Sequence, residues 1–153
     1  RRQAALENGG HEVFDPAACD VALEIRRRTG NRGSDKVIEA SGNGRALHES
    51  IRIAAPETTV TPLAWYQGAL STVDLSEEFH HNRIGIKQSQ TGAMDPVFSN
   101  LWDYERRVET CIRILERLKT DNLFKEYAYD EIPEAYRVID QEPEKIIQAV
   151  ITY

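Results

Sequence analysis

Two short stretches of the sequence carry residue types that can do chemistry. The first is a glycine-containing turn, Ser41-Gly42-Asn43-Gly44, which lies between a β-branched run and an amphipathic segment. Glycines at such a turn let backbone amides approach phosphate, but the dinucleotide fingerprint needs a third glycine where Leu47 stands. The acidic residue expected about 20 positions later is also missing, because the next strand ends in Trp65 and Tyr66. Three interpretations remain: a pyrophosphate loop, a plain turn onto a helix, and the favoured one, a loop touching another part of a nucleotide.

The second stretch places carboxylates beside imidazoles, in Glu77-Glu78-Phe79-His80-His81. Glu77 and His81 are four residues apart and would share a helix face, where a pair of this kind can bind a metal ion. No third ligand follows at a suitable spacing, which favours a solvated, acidic helix end. Cys19 and Cys111 have no neighbours that would activate a thiol, so both are expected to be buried and structural. The sequence predicts no catalytic residue and no metal ligand, because it has no nucleophile elbow, zinc-helix motif or Walker loop.

The elements that would position these stretches alternate between short β-rich runs and amphipathic segments, which is typical of a parallel sheet covered by helices. Pro62 is expected to end its strand early or to cause a bulge, because proline removes a ladder donor. The predicted elements are helices over Arg1–Asn8, Val21–Thr29, Arg45–Ala55 and Tyr104–Leu118 and one starting at Pro133, and strands over Glu12–Asp15, Lys36–Ala40, Thr58–Trp65, Ile84–Ser89 and Ile146–Tyr153.

Length and charge exclude several functional classes. The chain has 153 residues and a net charge of -6, the opposite sign to that of a protein that binds nucleic acid by neutralising phosphates. No apolar run reaches the roughly 20 residues of a membrane helix, and the N-terminus lacks the apolar core of a signal peptide. Two isolated cysteines do not form a disulfide framework. We therefore expect a cytoplasmic protein without nucleic-acid or membrane partners.

Several stretches resemble the medium-chain dehydrogenase/reductase family, in its zinc-type alcohol dehydrogenase group. Residues Gly10 to Pro16 resemble the family's third nucleotide-domain strand, and Gly33 to Gly42 resemble the fourth. Phe79 to Ile84, together with Ser89-Gln90, is similar to the subgroup that includes bacteriochlorophyllide-type dehydrogenases. The resemblance extends to the final helix and strand and covers essentially the whole chain.

The resemblance implies an α/β fold in which a partial Rossmann-like parallel sheet has flanking helices and lacks the family's first two nucleotide-domain strands. Residues 1–153 would form a single, incomplete nucleotide-binding domain. The family's strand order is 3-2-1-4-5-6, so the Glu12–Asp15 strand would lie apart and Lys36–Ala40 would expose an edge. We expect a longer native protein, a rearranged sheet, or an edge filled by another chain.

The resemblance also implies cofactor-binding positions after three strands. These positions are Ala40, Ser41, Gly42, Asn43, Leu63, Ala64, Trp65, Ser89, Gln90 and Thr91. The turn after the fourth family strand borders the cofactor, and the two later loops face the nicotinamide. Ala64 departs from the family, where glycine is common.

The function implied is that of the C-terminal nucleotide-domain portion of an NAD(P)-dependent, alcohol dehydrogenase-like oxidoreductase. The parent would use NAD or NADP, whereas this chain alone would bind it weakly or not at all, would hold no zinc and would be inactive. Its partner would be a missing N-terminal half or a second copy joined through sheet edges. The alternative is a non-catalytic binding or assembly module formed from a truncated dehydrogenase.

Overall fold

The computed structural model describes all 153 residues and divides them into two compact units. The larger unit is Phe14–Leu101, and the smaller one joins Arg1–Val13 to Trp102–Tyr153. In chain order the elements are α1 (Arg2–Glu7), α2 (Val21–Arg28), β1 (Val37–Glu39), α3 (Gly44–Ile53), β2 (Thr59–Pro62), α4 (Glu78–His81), β3 (Gly85–Ile86), α5 (Tyr104–Leu115), β4 (Phe124–Ala128), α6 (Ile132–Gln141) and β5 (Gln148–Thr152), with 3-10 turns at Tyr129–Glu131 and Pro143–Lys145.

The larger unit is built on a parallel sheet of order β1-β2-β3. Val37 pairs with Val60, and Thr59 pairs with Gly85. A parallel pair needs a crossover connection, and α3 supplies it between β1 and β2. The predicted fold class, α/β with short parallel strands and flanking helices, is therefore confirmed.

One face of α3 forms the core of this unit. Leu47, Ile51 and Ala54 follow one another at helical spacing and pack with Val60 of β2 and Ile84, which precedes β3. Ile51 and Val60 have no exposed surface. The amphipathic pattern of α3 therefore fixes the helix over the sheet and so places the turn that precedes it.

The smaller unit has its own two-stranded parallel sheet, in which β4 pairs with β5 from Phe124–Gln148 to Ala128–Thr152. Its core joins Tyr127 and Ile146 to two residues of α6, Ala135 and Val138. By contrast, α5 buries no residue. The expected burial of Cys111 is therefore wrong, because Cys111 lies exposed on this helix, while Cys19 is half-buried and its thiol contacts the carbonyl of Asp15.

Several predicted elements differ in the structure. Residues 12–15 form no strand, because no neighbouring strand accepts and donates their backbone hydrogen bonds. β2 ends at Pro62, as its missing N–H predicts. β3 has only two residues, yet the amides of Lys87 and Ser89 still donate to the carbonyls of Val60 and Pro62, at 3.0 Å in each case. β4 lies where no strand was predicted.

Strand β1 lies at the edge of the larger unit's sheet. β1 pairs with β2 alone, so its other edge is open within the chain, and Ile38 at its centre is 66% exposed. An open edge presents unpaired backbone groups to solvent or to another strand. That residues 1–153 form one nucleotide-binding domain stays a prediction.

Candidate functional site

The three loops singled out in the sequence meet at one edge of the larger unit's sheet. Strands β1, β2 and β3 run parallel, so their carboxyl ends lie on the same side, where ligands bind in sheets of this type. The amide of Leu63 donates to the carbonyl of Glu39 at 2.7 Å, and the amide of Ser89 donates to the carbonyl of Pro62 at 3.0 Å. Each loop thus begins against the end of the neighbouring strand.

The turn after β1 lies directly against the loop after β2. Gly42 has φ +69°, a left-handed conformation that glycine adopts without strain. A Cβ at this position would lie 3.4 Å from both the Cβ of Ala64 and the carbonyl oxygen of Trp65. Two of the three groups of predicted residues are therefore so close that a methyl group on Gly42 would reach across to the other group.

The turn ends as a capped helix start. The side-chain oxygen of Asn43 accepts a hydrogen bond from the amide of Arg45 at 2.8 Å, so Asn43 is the N-cap of α3. Gly44 allows close packing there, because a Cβ would lie 2.5 Å from the Thr72 hydroxyl and 3.3 Å from Cδ2 of Leu70. The two glycines therefore each have a packing or conformational reason that requires no bound phosphate.

A buried carboxylate joins the two loops. Glu39 is 3% exposed, and its carboxylate accepts hydrogen bonds from the Ser41 amide at 2.6 Å, the Ser41 hydroxyl, the Gly42 amide at 3.4 Å and the hydroxyl of Tyr66. Burial alone would raise the pKa of Glu39, but the hydrogen bonds from Ser41 and Tyr66 outweigh it and hold the pKa below its ordinary value. Burial, and then the bond to Glu39, raise the pKa of the Tyr66 phenol. The pair is therefore a carboxylate and a neutral phenol at neutral pH.

Sequence reasoning missed both members of this pair. The available signal was an acidic residue inside an apolar strand, Val37-Ile38-Glu39-Ala40, since a charge in such a run must find donors or stay unburied. Nothing in the sequence identified Tyr66 as the donor, because it lies 27 positions away in an irregular loop.

The surface formed by the ten predicted positions is neutral. None of them carries a charge, and the two largest side chains are well exposed, Leu63 at 54% and Trp65 at 82%. The side-chain amide N–H groups of Asn43, the hydroxyl of Ser89 and the side chain of Gln90 can hydrogen-bond a neutral carboxamide, and an indole can stack on an aromatic ring. With no basic side chain among them, these positions suit a part of a ligand without negative charge better than its phosphates.

The Glu77–His81 pair is the metal-ligand candidate that the sequence offered. No group of three or more His, Cys, Asp or Glu side chains could hold a metal ion. Glu77 precedes the one-turn helix α4, and His81 ends it. The ring of His81 meets that of His80 edge-on, with centroids 5.5 Å apart. A two-residue pair without further ligands does not match the four-ligand geometry of zinc.

The parallel sheet, its crossover helix and the loops at its carboxyl edge define a Rossmann-type domain. The family described as zinc-binding dehydrogenase matches residues 1–105. The chain belongs to this zinc-binding dehydrogenase family.

Curated relatives agree with this assignment. The chain is 29% identical to D-guloside 3-dehydrogenase of Escherichia coli over its whole length, which spans 45% of that protein. Half of the chain is 36% identical to an alcohol dehydrogenase of Cupriavidus necator, covering 20% of that protein. The chain thus spans less than half the length of the curated relatives it matches.

Solved structures show the same fold. An alcohol dehydrogenase zinc-binding domain protein from Burkholderia ambifaria superposes with a TM-score of 0.73 at 20% identity, over 98% of this chain and 38% of that one. 2R,3R-butanediol dehydrogenase from Bacillus subtilis gives a TM-score of 0.72 at 17% identity, over 99% and 40%. The chain has no helix with the length and apolar character needed to cross a membrane.

Proposed function

We propose that this chain is the C-terminal nucleotide-domain portion of an NAD(P)-dependent, alcohol dehydrogenase-like oxidoreductase. In the complete enzyme, bound NAD(P) supplies the hydride acceptor or donor for an alcohol and its carbonyl product. The chain itself supplies binding and orientation and is inactive alone. Membership of the zinc-binding dehydrogenase family supports the proposal. Both cysteines are unpaired, which fits a reducing compartment such as the cytoplasm.

The observation that carries the proposal is the convergence of three loops, whose ten predicted positions carry no charge, at the carboxyl edge of a parallel sheet. The contacts of Glu39 with Leu63 and of Pro62 with Ser89 hold those loops side by side. We assign this surface to the nicotinamide half of the cofactor. Trp65 offers an exposed ring face, and Ser89, Gln90 and Thr91 offer polar groups to the carboxamide. The phosphates would need contacts that these positions lack, so this chain alone binds the dinucleotide weakly.

The test is an NMR titration of the 153-residue chain, labelled with nitrogen-15, with nicotinamide mononucleotide and, as the matched control, AMP. We expect the mononucleotide to shift the amides of the ten predicted positions and the indole N–H of Trp65, whereas AMP shifts them far less. Trp102, in the smaller unit, serves as an internal control whose indole stays unchanged. Equal shifts by both ligands, shifts at other residues, or no shift at millimolar ligand would refute the assignment.

A second function is favoured by the open edge of β1, namely assembly with another copy of this chain. Backbone groups of successive strand residues point to alternate sides. The carbonyl of Glu39 faces β2, where it accepts the amide of Leu63, so the N–H and C=O of Ile38 face the open edge. A strand added there would continue the sheet by backbone hydrogen bonding.

Sedimentation of two variants at one position tests this assembly. Ile38→Pro deletes the N–H that faces the edge, whereas Ile38→Ala removes apolar side-chain surface and keeps that N–H. Edge pairing predicts that the wild type self-associates, that the proline variant associates about tenfold or more weakly, and that the alanine variant stays closer to the wild type. A monomeric wild type, or equal effects of the two variants, would refute assembly through β1.

A further inference from the structure

Glu39 is the one carboxylate in the larger unit that is almost fully buried. Moving an unpaired carboxylate out of water is very unfavourable, and here four donors meet it. Three of them belong to Ser41 and Gly42 of the turn after β1. The fourth, the hydroxyl of Tyr66, comes from the loop after β2. The carboxylate is therefore shared between the turn that follows it and Tyr66, which lies 27 positions after Glu39 in the chain.

Tyr66 is held from both ends. Its ring is half-buried and packs against the core formed by α3 and β2, while its hydroxyl donates to Glu39. A hydrogen bond from a neutral donor to an ionised acceptor is roughly twice as strong as one between two neutral groups. The ring fixes the direction of the side chain, and the hydroxyl fixes the distance between the two loops.

The other links between these loops involve the backbone. The Leu63 amide donates to the Glu39 carbonyl at the root of the loop, and Gly42 packs against Ala64 and Trp65. Trp65 itself is 82% exposed, whereas Leu70 and Val73 later in the loop pack against the core. The hydroxyl of Tyr66 makes the side-chain hydrogen bond that ties the loop to the turn through Glu39.

We propose that Tyr66 is a positioning residue whose hydroxyl, held by the carboxylate of Glu39, locks the loop after β2 to the turn after β1. The two loops then keep a single relative position, with Ser41–Asn43 on one side and Leu63–Trp65 on the other. The functional part of this inference rests on the proposed function, since these loops form the nicotinamide surface assigned above. The structural part of the inference, the coupling of the two loops, does not depend on any ligand.

Hydrogen exchange in Tyr66→Phe tests the coupling, because this variant removes only the hydroxyl. We expect exchange to accelerate about tenfold or more at Leu63 and also at Ser41 and Gly42, whose own donors are untouched by the change. The matched control is Tyr136→Phe, at a residue 71% exposed on α6, which should leave these amides unchanged. Faster exchange only next to position 66, or equal behaviour of the two variants, overturns the proposal.

Two further measurements separate coupling from general loosening. Glu39→Gln keeps the side-chain shape and removes the charge, so it should accelerate exchange at the same three amides. In Tyr66→Phe the affinity for nicotinamide mononucleotide should fall about tenfold or more while the urea midpoint of the larger unit changes little. Parallel losses of midpoint and affinity would instead indicate a purely structural role. Coupled exchange without ligand binding would support the coupling of the two loops by Tyr66 and refute the proposed function. Ligand binding without coupled exchange would support the proposed function and refute the coupling.

Discussion

Replacing Ile51 by alanine should remove a large part of the stability of the larger unit. Ile51 lies on α3 with no exposed surface and packs among Leu47, Val60 and Ile84. The change deletes three carbons, and each buried methylene contributes about 0.8 kcal/mol, which gives about 2.4 kcal/mol for lost transfer energy. A residual cavity adds to this, within a usual range of about 2–5 kcal/mol.

Because of the surroundings of Ile51, we expect the free energy of unfolding to fall by about 3 kcal/mol, in the lower part of that range. Several side chains packed against this core are only partly buried, and these can move to reduce the cavity. They are Val37, Tyr66, Leu70, Val73 and Phe79. Ile51→Val, which deletes one carbon, should cost about 0.5–1.5 kcal/mol.

Two measurements follow the loss. Urea unfolding by circular dichroism gives the free energy of unfolding, and hydrogen exchange at the amides of Gly85 and Lys87 reports on the β2–β3 ladder of this unit. The control is Ile38→Ala on the exposed face of β1, where strand propensity limits the loss to about 1 kcal/mol. If Ile51→Ala costs no more than Ile38→Ala, the core is wrongly placed.

Three further perturbations have defined outcomes. The pKa of Glu39 is lowered in the folded state, so the unfolded chain takes up a proton at a higher pH than the native protein, and the free energy of unfolding decreases as the pH is lowered through this range. Between about pH 6.5 and 3.5 the urea midpoint should therefore decrease less steeply in Glu39→Gln than in the wild type, and equal slopes would contradict this. Gly42→Ala places a side chain at φ +69° and should lower the free energy of unfolding by about 1–2 kcal/mol, and a neutral effect would show that the turn is not left-handed. Arg52 forms ion pairs with three carboxylates, and its side chain is 28% exposed. Arg52→Met should lower the free energy of unfolding by about 1–2 kcal/mol in thermal or urea unfolding, more than Arg83→Met, which removes a single exposed ion pair. Equal losses in the two variants would show that the network of ion pairs adds no stability.

Features governed by local chemistry could be predicted from the sequence. Pro62 ends β2 because it lacks an N–H, and Asn43 with Gly44 starts α3 through a cap and a close approach. Leu47, Ile51 and Ala54 repeat at helical spacing and form the core of the larger unit. In each case the physical cause lies within a few residues of the feature.

Features that depend on distant partners could not be predicted in the same way. Residues 12–15 have strand composition but find no neighbouring strand in the structure. β4 forms because β5 pairs with it from 24 residues later, with Phe124 opposite Gln148.

The candidate site shows the same division. Its ten loop positions were expected from family resemblance, and the structure places Ala64 and Trp65 within reach of a Cβ added at Gly42 and sets Ser89 beside Pro62. Whether they bind a cofactor stays a prediction. The Glu39–Tyr66 bond depends on a loop conformation that no residue pattern specifies, because Tyr66 follows the end of a strand in an irregular segment.

The most direct test of the central claim is the intact mass and cofactor dependence of the protein that carries this sequence in its source. An antibody raised against the 153-residue chain would isolate it for mass spectrometry and for an NAD(P)-linked alcohol oxidation assay. We predict a mass about twice 17.4 kDa or more, since the chain spans 45% of a curated relative, together with hydride transfer that requires NAD or NADP. A product of 17.4 kDa that binds no nicotinamide nucleotide would contradict the account and favour an assembly module.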